Sequence, residues 1–303
     1  MTKGNFEGVL VPVLTPFTAD FKPDSARFIN MCKWLLDQGA NGLAIFGTTS
    51  EANSMSFAQR EELLDRLITA GIPAKSLLVG TGACSLDEVV RISRKSTKLG
   101  CGGVLISTPF YYKAVSDEGI FAFMSTVIEQ VNDAALRIYL YHIPSHTCVP
   151  FGIELVGRLA TAYPDTIVGL KDSSGDWTNT ESLLKEYPQL EIFPGSEAFL
   201  LKALRLGGSG CITATGGANP KGIREVFDRW QTDEADNLQD RISEIRRTIQ
   251  RYPLIPAMKA MVSHFHDDPA WRTLAPPLLP LPPEAAGSLF ADLAAINFQI
   301  EPR

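Results

Sequence analysis

Short runs of apolar and β-branched residues recur along the chain, and between them lie longer segments whose apolar positions repeat with helical spacing. Eight runs stand at positions 8–13, 42–46, 77–80, 103–107, 137–141, 167–170, 191–193 and 210–214. Their alternation with amphipathic stretches is the sequence mark of βα units around a parallel sheet. The stretches also carry helix starts. Ser56 leads into Gln59, Arg60 and Glu61, and Ser85 into Asp87 and Glu88, both close to the capping-box pattern. Asn219-Pro220 opens another helix in the same way. Eight repeats within residues 1–230 predict an α/β fold, a closed (β/α)8 TIM barrel. An open doubly wound sheet fits less well, since no Gly-x-Gly-x-x-Gly follows the first run.

Past Trp230 the pattern becomes wholly helical, with segments at 233–251, 253–264 and 283–296. Residues 231–303 are therefore expected to form a C-terminal helical extension packed on the barrel, with the proline-rich stretch 275–283 as a connecting loop. The net charge of -6 is spread without any basic run, which argues against nucleic acid or an anionic membrane and for a small-molecule partner. Residues 1–7 hold no apolar signal core, and nowhere do about 18 apolar residues follow one another. A cytoplasmic location is expected. The five cysteines, Cys32, Cys84, Cys101, Cys148 and Cys211, are scattered without Cys-x-x-Cys spacing and read as buried free thiols. His264-Phe265-His266 beside Asp267 and Asp268 lacks further spaced ligands, and Gly207-Gly208-Ser209-Gly210 reads as a tight turn. No metal or cofactor is expected.

In such a barrel the chemistry collects at the C-terminal strand ends. Lys171 follows the sixth run, in Gly169-Leu170-Lys171-Asp172. An ammonium among apolar neighbours is destabilised relative to the free amine, and a free amine in a dry pocket attacks ketones. Pairing with Asp172 is the plainer alternative. Tyr141 ends the neighbouring fifth run and could move protons while water leaves the carbinolamine. Gly47-Thr48-Thr49-Ser50-Glu51 follows the second run, and its N–H groups and hydroxyls suit a carboxylate. Together these three point to Schiff-base chemistry on a 2-oxo acid.

Gly47-Thr48-Thr49-x-Glu51, Tyr141-x-Ile143-Pro144 and Gly169-x-Lys171-Asp172, in that order and spacing, resemble the motifs of the dihydrodipicolinate synthase and N-acetylneuraminate lyase family. The likeness covers nearly the whole chain. It implies a barrel with a helical C-terminal region, a homotetramer built from tight dimers, and pyruvate held as an enamine on Lys171. It further implies that Tyr141 relays protons through Thr48 to a tyrosine lent by the adjacent subunit. That tyrosine is Tyr111 by the motif; one extra residue between Pro109 and Glu118 leaves Tyr112 open. The pyruvate carboxylate would sit on the N–H groups of Thr48 and Thr49, with Ile212 near its methyl carbon.

Departures from the family's pattern narrow what carries over. Where synthases place an arginine for the carboxylate of aspartate semialdehyde, this chain has His146, which cannot make a bidentate grip. His142 replaces an asparagine and Ser50 a glycine, and of the lyase branch's acidic pair only Glu197 is matched, followed by Ala198. Phe110 and Tyr112 would make an apolar wall near the mouth. The resemblance thus implies a metal-independent lyase or aldolase joining pyruvate to an aldehyde other than those two branches use, with a 4-hydroxy-2-oxo acid as product or substrate. The alternatives are a true 4-hydroxy-tetrahydrodipicolinate synthase, a dehydratase of 2-oxo-3-deoxy sugar acids, and a non-catalytic 2-oxo acid binder. The last is disfavoured by the intact Lys171, Tyr141 and Thr48.

Overall fold

The computed structural model describes residues 4–302. Its eight strands are β1 (Gly8–Pro12), β2 (Gly42–Ile45), β3 (Leu77–Gly80), β4 (Gly103–Ser107), β5 (Ile138–His142), β6 (Ile167–Asp172), β7 (Glu191–Pro194) and β8 (Gly210–Ile212). All pair in parallel in the order β7-β6-β5-β4-β3-β2-β1-β8. The glycine-rich turn before β8 lets Ser209 donate its N–H to Ile192 O of β7 at 3.1 Å, which brings the two ends of the sheet together as a TIM barrel.

The helices around it are α1 (Ser25–Asp37), α2 (Phe57–Thr69), α3 (Leu86–Lys98), α4 (Asp117–Val131), α5 (Pro144–Thr147), α6 (Ile153–Ala162), α7 (Trp177–Glu186), α8 (Leu200–Arg205) and α9 (Pro220–Arg229). The expected starts appear as capping bonds. Ser56 and Gln59 form a reciprocal box on α2, and the Asn219 side chain accepts from Gly222 N on α9. Ser85 makes only half of its box, accepting from Glu88 N.

Side chains alternate in and out along each strand. Leu10, Ala44, Leu78, Leu105, Tyr139, Tyr141, Phe193 and Ile212 fill the barrel interior, while Val9, Val11, Ile106 and Leu140 turn outward under the helices. At the N-terminal end the Tyr139 hydroxyl donates to Glu191 Oε2 at 2.6 Å and accepts from Asn5 N at 3.0 Å, and Phe6 N donates to the same carboxylate. Burial and the adjacent carboxylate hold the Tyr139 phenol far above its ordinary pKa, so it stays a donor. These contacts seal the floor.

The C-terminal helices α10 (Ala235–Ile249), α11 (Leu254–Phe265) and α12 (Pro283–Ala295) begin and end within two residues of the expected segments. The 275–283 stretch connects α12 to a short turn at Pro269–Arg272. Ile242, Ile249, Met258, Met261 and Leu289 join Val9, Phe28 and Leu64 in one apolar cluster, so these helices share their core with the β1 and β2 side of the barrel. The thiols correct one expectation: Cys32 and Cys211 are buried, but Cys101 is only half-buried and Cys84 and Cys148 are exposed, because these three lie on loops rather than core-facing strands or helices. No described helix is long and apolar enough to cross a membrane. His264 stacks on Phe290 at 4.1 Å, and His266 packs edge-on against Trp34.

Candidate active site

Lys171 does not follow its strand, as the apolar run suggested, but lies inside it, and Tyr141 is not the last residue of its own, because the parallel ladder continues to the Asp172 and His142 pair. Tyr141 and Lys171 are direct neighbours in that ladder. The alternation aims both inward, above the Tyr139 and Gly169 pair. Gly169 has a steric reason to be glycine: a Cβ there would come within 2.6 Å of the Tyr139 ring and 2.5 Å of Glu191 O. The large phenol below Lys171 requires a residue without a side chain beside it.

Lys171 is 6% exposed, and its ammonium lies 4.4 Å from the centre of the Tyr141 ring. The Tyr141 hydroxyl in turn lies 3.4 Å from Thr48 Oγ1. Asp172 does not pair with Lys171. Its side chain faces outward, where Ser174 N at 2.9 Å, Asn179 Nδ2 at 3.0 Å and Thr180 Oγ1 at 2.6 Å all donate to it. Among the described residues Lys171 has no ion-pair partner.

The 47–51 turn is bracketed by two non-glycine residues in the left-handed region, Phe46 at φ 59° and Glu51 at φ 52°. Such backbone costs about 1–3 kcal/mol per residue and persists only where surrounding contacts impose it. Those contacts are visible. The Ser50 hydroxyl donates to Val13 O at 2.6 Å, Thr15 Oγ1 donates to Ser50 O at 2.7 Å, and Glu51 N donates to Thr48 O at 3.0 Å. Among the described residues the N–H groups of Thr48 and Thr49 have no backbone partner, which leaves two donors for an anion. Behind the turn the Glu51 carboxylate pairs with Lys259 of α11, both fully buried. Sequence reasoning missed Lys259; its signal was a lone lysine within the apolar run 254–262.

Above Tyr141 and Thr48 opens a cleft of about 240 Å³, lined also by Phe46, Leu105, Ser107, Phe110, Ile143 and His146. None of its lining side chains carries a permanent charge. His146 is exposed on α5, with its Nδ1 3.0 Å from Ser145 Oγ. Lys113 spends its ammonium on the carbonyls of Phe110 and Thr147. His142 points away from the cleft, accepting from Phe151 N at 3.1 Å, and burial lowers its pKa. Ile212 is fully buried in the interior cluster that contains Tyr141.

Three residues expected at the site stand apart. Tyr111 and Tyr112 are 74% and 72% exposed, their rings in edge contact at 5.3 Å. Glu197, matched to a substrate-binding acid, is 1% exposed and already occupied. Arg246 of α10 bonds its carboxylate at 2.6 Å, and the hydroxyls of Thr213 and Thr215 donate to it as well. Three of its roughly four acceptor sites are taken by these donors, and its burial keeps it from meeting a sugar hydroxyl. It joins the β7 and β8 loops to α10 instead.

The Dihydrodipicolinate synthetase family model matches residues 5–296. A DapA-like lyase of Chloroflexus aurantiacus, itself uncharacterised, is 36% identical over 286 residues, spanning 94% of this chain and 95% of its own. A 4-hydroxy-tetrahydrodipicolinate synthase of Thermodesulfovibrio yellowstonii is 28% identical across 89% of this chain and 88% of its own. Among solved structures, a dihydrodipicolinate synthase from Agrobacterium tumefaciens superposes with a TM-score of 0.89 at 32% identity, covering 96% of this chain and 99% of that one. A 2-keto-3-deoxygluconate aldolase of Sulfolobus solfataricus shares the fold, with a TM-score of 0.85 at 20% identity over 95% of this chain and 96% of its own.

Proposed function

Because this chain belongs to the dihydrodipicolinate synthetase family and is a lyase of the class I aldolase type, we propose that it binds pyruvate on Lys171 and makes or breaks a C–C bond with an uncharged aldehyde. The observation that carries this reading is the inward line from Lys171 through Tyr141 to Thr48. The Lys171 amine adds to C2 of pyruvate, and Tyr141 supplies the proton with which the carbinolamine oxygen leaves as water. Loss of a C3 proton from the iminium gives the enamine, whose C3 attacks the aldehyde carbon. The new oxyanion takes a proton, and hydrolysis returns the amine and releases a 4-hydroxy-2-oxo acid. Cleavage runs the same steps backwards. The free N–H groups of Thr48 and Thr49 take the carboxylate, and Ile212 packs near the methyl carbon.

The cleft above supports the choice of aldehyde. With no arginine, lysine, aspartate or glutamate in its lining, it offers apolar walls from Phe110 and Ile143 and hydrogen bonds from Ser107 and His146. An aldehyde bearing aryl or hydroxyl groups matches that chemistry; one with a carboxylate lacks a permanent counter-charge. We further propose a homotetramer of tight dimers, in which the exposed Tyr111 or Tyr112 is lent to the adjacent site. The reading is tested by incubating the protein with pyruvate and borohydride, weighing it, and then screening pyruvate against a panel of aldehydes. One reduced pyruvate per chain and turnover that favours neutral aldehydes are expected. An unchanged mass refutes the covalent step, and a preference for aspartate semialdehyde refutes the aldehyde class.

A further inference from the structure

We propose that Lys259 is a positioning residue for the keto-acid grip: its buried ammonium, paired with Glu51, holds the 47–51 turn in the shape that presents Thr48 and Thr49 to the substrate. The inference rests on the pyruvate reading above. The two faces of one short turn do different things. On the barrel side Thr48 Oγ1 meets the Tyr141 hydroxyl at 3.4 Å. On the opposite side Glu51 leaves the cleft altogether, and its carboxylate is fully buried against α11. The Glu51 N–H bonds to Thr48 O at 3.0 Å, so a displacement of Glu51 is passed directly to Thr48.

Lys259 is itself fixed from three directions. It pairs with Glu51, donates to Thr273 O at 2.9 Å, and lies 4.6 Å over the Phe17 ring. The second Glu51 oxygen accepts from Ala275 N at 3.4 Å. The C-terminal extension thereby reaches the active-site turn through polar groups, beside the apolar cluster that joins Phe46 and Ala52 to Met258 and Ala275. Burial pushes the Glu51 carboxyl up and the Lys259 ammonium down in pKa, against their mutual attraction. A buried pair of this kind is a poor source of stability, since apolar residues of equal volume often replace one without loss. Holding Glu51 at φ 52° gives the pair a use that stability does not.

The test compares wild type, Lys259→Met and the double variant Glu51→Gln/Lys259→Met in the full chain. Two quantities are read: the pyruvate concentration giving half-maximal borohydride labelling, and the melting temperature. In the single variant we expect half-saturation to rise about tenfold to a hundredfold, the scale of an ångström-sized misplacement, with full labelling retained at saturating pyruvate. The double variant, which buries no lone charge, should regain melting temperature while half-saturation stays raised. Should Lys259→Met fail to fold, the double variant decides alone. Half-saturation that returns to normal along with melting temperature in the double variant, or that never changes, overturns the positioning role. Absence of labelling in the wild type would instead remove the pyruvate reading on which the role depends.

Discussion

Two sets of groups at the barrel mouth are held to different standards. In the rigid set, drawn from β2, β5 and β6, Lys171 and Tyr141 project from neighbouring strands, and the 47–51 turn is stitched to the residue after β1 and to α11 by hydrogen bonds and a buried ion pair. In the open set, on α5 and the loop after β4, His146, Tyr111 and Tyr112 stand exposed on short connections. A reaction centre needs its groups held to fractions of an ångström, and strands with a packed floor supply that. Recognition of a second substrate can be left to loops, which change without disturbing the sheet. One barrel can thus keep its covalent chemistry while its aldehyde partner varies.

Changes on the rigid side should have the larger effects. Lys171→Ala is expected to abolish borohydride-dependent addition of pyruvate, measured by intact mass; undiminished labelling would place the Schiff base elsewhere. Tyr141→Phe keeps the ring against Lys171 and removes only the hydroxyl. It should preserve the fold while lowering turnover by about two to four powers of ten, the range for a positioned acid–base group. Steady-state kinetics with and without a chelator check this, and the chelator should change nothing.

The open side is the place to sharpen the comparison. His146→Arg restores a permanent, bidentate cation at the cleft, and should raise condensation of pyruvate with aspartate semialdehyde by about ten- to a hundredfold from a poor starting rate, on the scale of 1.5–3 kcal/mol for a charge-assisted bond. Efficient wild-type condensation that falls on introducing arginine would make this chain a true synthase. The smallest effect is expected from lysine, which inhibits some synthases at the dimer interface. Cys84, Phe110 and Phe57 offer a bound lysine no strong hydrogen-bonding side chain, and Phe57 lies beneath the Arg60 guanidinium at 4.3 Å. Calorimetry with millimolar lysine should show no saturable binding, because each lost partner costs about 1–3 kcal/mol.

The same contrast explains what could be read without coordinates. The strands were legible because a parallel sheet covered on both faces needs continuous apolar runs, and Lys171 was conspicuous as the charge that ends one. Strand ends were misjudged by up to two residues at β6, since backbone pairing continues through Lys171 and Asp172 although the apolar run stops at Leu170. Glu197 could not be separated from a substrate ligand by local pattern alone. Its partner Arg246 lies 49 positions away on a helix that composition marked only as an extension. Lys259 stands out as a lone charge in an apolar run, but its pairing with Glu51 does not, because a side chain's partner across the fold leaves no trace in its neighbours along the chain.

The sealed floor made by Tyr139, Glu191, Asn5 and Phe6 has a consequence for traffic. A vessel with one opening imposes a queue, in which whatever reacts deepest enters first and leaves last. In the proposed reaction the keto acid loads before the aldehyde, and an aldehyde waiting in the cleft blocks exchange at the lysine beneath it. Excess aldehyde should then act as its own inhibitor, competing with pyruvate for the cleft above Tyr141 and Thr48.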